Sequence, residues 1–128
     1  MEVNYNKFLE ASVFANKNIN KVVDNLYQII GNFFDENFKN NFIIVGSVAK
    51  NLQDIESSIV KDLDIQVTDK KLFDFCKKLG KLTEFEVNYN SFLKRIFIKT
   101  PFILIELWYN TEEVNIIEYQ GIKIKKYG

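Results

Sequence analysis

Asp62 and Asp64 stand two residues apart in KDLDIQV, residues 61–67, where the alternate positions Leu63, Ile65 and Val67 are apolar. In an extended strand such residues project to the same face, with Cα atoms about 6.5 to 7 Å apart. The pattern therefore predicts two carboxylates side by side on one face and three core residues on the other. Adjacent carboxylates repel each other and resist desolvation unless a cation or proton compensates. A divalent cation, Mg2+ or Mn2+, suits such hard oxygen donors. Glu106 poses the same problem in FILIELWY, residues 102–109, where it interrupts seven apolar or aromatic positions. It shares its face with Phe102, Leu104 and Trp108. If that strand lies beside KDLDIQV, Asp62, Asp64 and Glu106 converge on one oxygen-rich site.

A second feature precedes the aspartates. FIIVG, residues 42–46, reads as a buried strand closed by glycine, and Ser47 follows. A Gly46-Ser47 turn leading into a helix over 48–53 presents backbone N–H groups and small side chains to a phosphate. Lys50, expected in the first turn of that helix, and Lys61, just before the aspartates, are candidate charge neutralisers for a triphosphate. Metal ligands on one side and a phosphate cradle on the other describe a nucleotide site.

Composition removes most other chemistry. The chain has 128 residues, no His and one Cys, Cys76. Zinc sites, internal disulfides and Ser-His or Cys-His catalytic pairs are thereby excluded. Its five glycines are too scattered for a dinucleotide-binding or P-loop motif. Seventeen basic and seventeen acidic residues balance, so no global field draws the protein to nucleic acid or to an anionic membrane. Lys supplies sixteen of the seventeen basic residues, as AT-rich codon usage would produce. No apolar run approaches the roughly 18 residues of a membrane span, and the start lacks a basic-then-apolar signal, so a cytoplasmic location is expected.

The elements that must position these residues can be read from periodicity. Ile19, Val22, Val23, Leu26, Ile30, Phe33 and Phe34 recur at helical spacing, predicting a helix over 17–35, with a shorter one over 4–14. DKKLFDFCKKLG predicts a helix from Asp69 to a stop at Gly80. Strand-like alternation follows in LTEFEVN, LKRIFIK and FILIELWY, and again over 114–119 and 122–126. Trp108, Cys76 and the Phe-rich helix are expected in the core. The reading is one domain over 1–128: N-terminal helices over 1–40, a motif-bearing core over 41–107 and C-terminal strands over 108–128. Its expected class is α+β, close to α/β, a mixed β-sheet with helices packed against it.

VGS at 45–47, DLDI at 62–65 and IEL at 105–107 together resemble the signature of the DNA polymerase beta-like nucleotidyltransferase superfamily. Within it, the chain is similar to the head domain of CCA-adding enzymes and poly(A) polymerases and to minimal nucleotidyltransferase antitoxins. The resemblance covers residues 41–107 and implies the nucleotidyltransferase fold and metal-dependent transfer of an NMP from an NTP, ATP included. The acceptor would be a hydroxyl of RNA, protein or a small molecule, and pyrophosphate would leave. It implies that Asp62 and Asp64 hold one Mg2+ or Mn2+ on the triphosphate, that these with Glu106 hold a second, and that Gly46, Ser47, Lys50 and Lys61 contact the nucleotide. The rival expectation is a binding module of the same fold, antitoxin-like or a regulatory subunit, that pairs with a protein partner or with a second copy.

Overall fold

Asp35 accepts a hydrogen bond from the Asn37 N–H and starts a 3-10 helix, Glu36–Asn41, that delivers the chain into its first strand, β1, Phe42–Val45. The structure, a computed structural model, describes residues 19–55, 62–100, 103–119 and 121–127. The expected helix over 4–14 and Lys61 lie outside them.

In chain order the elements are α1 (Ile19–Gly31), the 3-10 helix, β1, α2 (Gly46–Leu52), β2 (Asp62–Val67), α3 (Lys70–Cys76), α4 (Leu79–Leu82), β3 (Glu86–Asn90), β4 (Arg95–Lys99), β5 (Leu104–Tyr109), β6 (Ile116–Tyr119) and β7 (Ile122–Lys125). All seven strands join one mixed sheet of order β3-β4-β5-β2-β1-β7-β6. β2 is central: it runs antiparallel to β1 and parallel to β5. The molecule is thus α+β.

Alternation decides the two faces of the sheet. Phe42, Ile44, Leu63, Ile65, Val67, Ile96, Ile98, Ile105 and Leu107 point one way and are buried with side chains from every described helix in a single cluster. From α1 come Val23, Leu26, Tyr27 and Ile30, the i, i+3, i+4, i+7 stripe of an amphipathic helix. Burying each such side chain contributes on the order of 1.5–3 kcal/mol. The opposite face carries Asp62, Asp64, Gln66, Arg95, Phe97, Leu104, Glu106 and Trp108. All of these are partly exposed except Gln66, which is buried.

Three expectations are corrected. The helix expected to reach residue 35 ends at Gly31, where the Phe33 and Phe34 N–H groups fold back to the Ile30 carbonyl at 2.9 and 3.2 Å. Glycine is a poor helix former, and Asp35 offers the next segment a competing cap. Phe33 and Phe34 stack on Phe75 instead, with centroids 4.9 and 5.2 Å away, and Phe33 stays 57% exposed. Gly80 is not a stop: the helix ends at Cys76, and Gly80 sits inside α4. A Cβ there would lie 3.2 Å from Val87, so the glycine serves the close approach of β3. Trp108 lies on the acid-bearing face, partly exposed, rather than in the core.

Candidate metal and nucleotide site

Parallel pairing of β2 with β5 sets Asp64 directly beside Glu106, and Asp62 beside Leu104. Neighbouring strands lie about 4.8 Å apart, so carboxylates in register on one face come within reach of a common ion. One oxygen from each of Asp62, Asp64 and Glu106 lies within 4.8 Å of the other two. The expected convergence of the three acids is therefore present.

Gathering these acids carries an electrostatic cost. Burial, a hydrogen bond to Glu106 and the charges of Glu106 and Asp62 push the Asp64 carboxyl up to about 7, opposed by Arg95. Its Oδ1 is buried without a hydrogen-bond partner among the described residues, so ionisation would leave that oxygen unmet. A proton shared with Glu106 relieves this, and a hard cation would do the same at neutral pH. Three converging carboxylates and an orphaned buried oxygen fit Mg2+ or Mn2+.

Arg95 joins the site without belonging to any of the motifs. Its Nη1 donates to Glu106 Oε2 at 3.0 Å in a half-buried ion pair, and its guanidinium lies 5.3 Å from the Trp108 ring centroid. The register explains this, since Arg95 is opposite Trp108 and Phe97 is opposite Glu106 across β4 and β5. A signal was available: this is the single arginine in a chain that otherwise uses lysine sixteen times.

Gly46 follows β1 with φ +72, a left-handed conformation that suits glycine, and turns the chain directly into α2. It also makes room for Asp64, whose Oδ2 would lie 2.7 Å from a Cβ at this position. The Gly46 N–H, expected to face a phosphate, donates to the Tyr127 hydroxyl at 2.8 Å. Tyr127 is held in turn by Gln53, whose Oε1 accepts from the Tyr127 N–H and whose Nε2 donates to the Lys125 carbonyl. Ser47 occupies the second position of α2. Lys50 falls in the last turn of α2 rather than the first, because the helix starts at Gly46, and its Nζ lies 5.2 Å from the Tyr127 ring centroid.

Gln66 completes the face. Its buried Nε2 donates to the carbonyls of Asn110 and Glu112 at 3.0 and 2.9 Å, drawing the segment after β5 across the sheet. A pocket of about 210 Å³ results, lined by Asp64, Gln66, Arg95, Trp108 and Tyr127 among others. Of the three acids, Asp64 thus opens into a cavity that Trp108 and Tyr127 also line.

Comparisons with protein-family models, curated proteins and solved structures return no match. No helix among the described residues is long and apolar enough to cross a membrane.

Proposed function

We propose that the protein is a metal-dependent nucleotidyltransferase of the DNA polymerase beta-like fold, moving an NMP from an NTP to an acceptor hydroxyl. The observation that carries this is the convergence of Asp62, Asp64 and Glu106 within 4.8 Å on the open face of the sheet, immediately beside the Gly46-Ser47 turn. Asp62, Asp64 and Glu106 would together hold the Mg2+ or Mn2+ ions that the triphosphate and the acceptor need. When bound, these ions lower the pKa of the acceptor hydroxyl and offset the charge on the phosphates. No side chain need act as general base, which agrees with a chain that has no His.

The remaining residues bind and orient. The Tyr127 hydroxyl accepts from Gly46 and keeps its own proton to donate to a phosphate oxygen, so the turn offers an O–H where a bare N–H was expected. Ser47 and Lys50 on α2 bind the β- and γ-phosphates beside it. Arg95 adds a guanidinium that can leave Glu106 for an anionic substrate as the cation takes its place.

Incubation with each α-labelled NTP, Mg2+ or Mn2+ and a cell extract tests the reading. Label should pass to an acceptor with wild-type protein and not with Asp62→Asn. Calorimetry should show NTP binding with the divalent ion and none with chelator. Equal binding in both conditions, or none in either, would overturn it. The Arg95–Glu106 ion pair favours one other reading, a binding module in which the third acid has become structural. That reading expects no nucleotide binding and tight co-purification with a second protein.

A further inference from the structure

The pocket beside the acids has a composition that catalysis by carboxylates does not require. At about 210 Å³ it falls below the roughly 300 to 1,000 Å³ of sites that enclose drug-sized ligands, so it suits one flat ring better than a whole nucleotide. One end is Trp108 with the Arg95 guanidinium 5.3 Å from its ring centroid. At the other end is Tyr127, with the Lys125 and Lys50 ammonium groups 5.1 and 5.2 Å from its centroid.

We propose that this pocket, between Trp108 with Arg95 and Tyr127, is a nucleobase site that holds the base of the nucleotide while Asp64, at its edge, faces the phosphates. Aromatic rings at both ends offer stacking surfaces to any base, because every base presents a π-face. Arg95 and Lys125 bring hydrogen-bond donors, matching the ring nitrogens and carbonyl oxygens that line a base's edges. A hydrocarbon ring would leave these donors without hydrogen-bond acceptors.

The pocket is also preorganised. Its roof, the segment from Asn110 to Val114, is tied down by Gln66, by the Asn110 N–H to the Val67 carbonyl at 3.1 Å and by the Glu112 N–H to Asn110 Oδ1 at 2.8 Å. A cavity held open by its own hydrogen bonds loses little freedom when filled. Asp64 lines the pocket and belongs to the acid cluster, so a base seated here places its phosphates at the site where metal would bind.

This assignment rests on the transfer reading for the identity of its ligand, and the test separates the two. Trp108 is the single tryptophan, so its fluorescence reports on the pocket directly. The full chain is titrated in chelator with adenosine, guanosine, cytidine and uridine, which carry no phosphate and need no metal. At least one should quench Trp108 saturably, and calorimetry should give the same affinity. Tyr127→Leu should weaken that binding roughly tenfold or more, the scale of one lost stacking partner, while Tyr127→Phe keeps it. Val114→Phe, which fills the pocket from its roof and leaves the Gly46 partner in place, should weaken it as well and stands in if Tyr127→Leu does not fold. Absence of saturable binding by all four nucleosides, or unchanged affinity in the folded variants, would overturn the proposal. Mn2+ and Mg2+–NTP titrations run alongside: if these bind while nucleosides do not, the base site fails and the transfer reading stands. Nucleoside binding without any Mn2+ binding keeps the base site and removes the transfer reading.

Discussion

Asp64 has the least favourable surroundings of the three acids, and its ionisation couples the site to stability. Its folded pKa, near 7, lies above its ordinary 3.8 because burial, Glu106 and Asp62 disfavour the charge more than Arg95 relieves it. Between these values the folded protein binds more protons than the unfolded chain, so stability falls as pH rises through that window. At pH 8 in chelator, Asp64→Asn should therefore be more stable than wild type by about 1 kcal/mol, a figure reduced for the partial exposure of the group. The gap should narrow as pH falls and close below about pH 3, where wild-type Asp64 is protonated in both states. Adding Mn2+ at about 100 times its Kd should stabilise the wild type by about 2.7 kcal/mol and reverse the order. Thermal melts across pH, with chelator and with metal, check both signs. Destabilisation of the variant under all conditions would make Asp64 a structural residue.

Two connections control how the elements present these groups. The turn from β1 to α2 depends on Gly46, which has both a positive φ and Asp64 Oδ2 where a Cβ would go. Gly46→Ala should cost about 1–3 kcal/mol in a denaturant melt and also weaken Mn2+ binding, because the methyl displaces the carboxylate. A loss of stability with unchanged Mn2+ affinity would show that Asp64 does not need its present position to bind metal. The segment after β5 depends on Gln66. Gln66→Leu removes the donor to the Asn110 and Glu112 carbonyls, which should cost about 1–3 kcal/mol and open residues 110–115 to limited proteolysis. Cleavage elsewhere first would argue that the other hydrogen bonds of this segment suffice to hold it.

Taken together, the described elements place helices on one face of the sheet and chemistry on the other. Cys76 sits in the joint core, fully buried, and burial pushes its thiol up to about 12. A thiol so placed reacts only when the molecule opens. Alkylation of native protein should therefore be slow and should accelerate with denaturant in step with global unfolding. Rapid labelling without denaturant would show that α3 detaches from the sheet by itself. The sheet's edges differ in character. β3 is largely polar, with Glu86 near Lys99 at 3.7 Å, whereas β6 leaves Ile116 and Ile117 39% and 36% exposed. Charged edges resist strand addition, and apolar ones invite it.

Local alternation already assigned Asp62 and Asp64 to one face and Leu63, Ile65 and Val67 to the other, because a two-residue period is set by the backbone of the strand itself. The same holds for Glu106. The helix start expected at Asp69 is also present, and there the side chain caps α3 by accepting from the Leu72 N–H at 2.8 Å. Helix ends are less legible: glycine at 31 and at 80 has opposite consequences, because Gly80 answers to Val87 across the fold rather than to its neighbours. The partners of the acids depended on long-range pairing. Alternation alone puts Trp108 on the face of Glu106, against the expectation that its size would place it in the core; what periodicity does not show is which strand lies alongside, and the pairing of β4 with β5 sets Arg95 opposite Trp108. Arg95 reaches Glu106 through that pairing, and Tyr127 reaches Gly46 across 81 residues of chain through the parallel contact of β7 with β1. The first contact spans 11 residues, and alternation over 95–106 still does not show that β4 folds back on β5; the second lies in no window of sequence, since it is made only when β7 closes on β1 around the core.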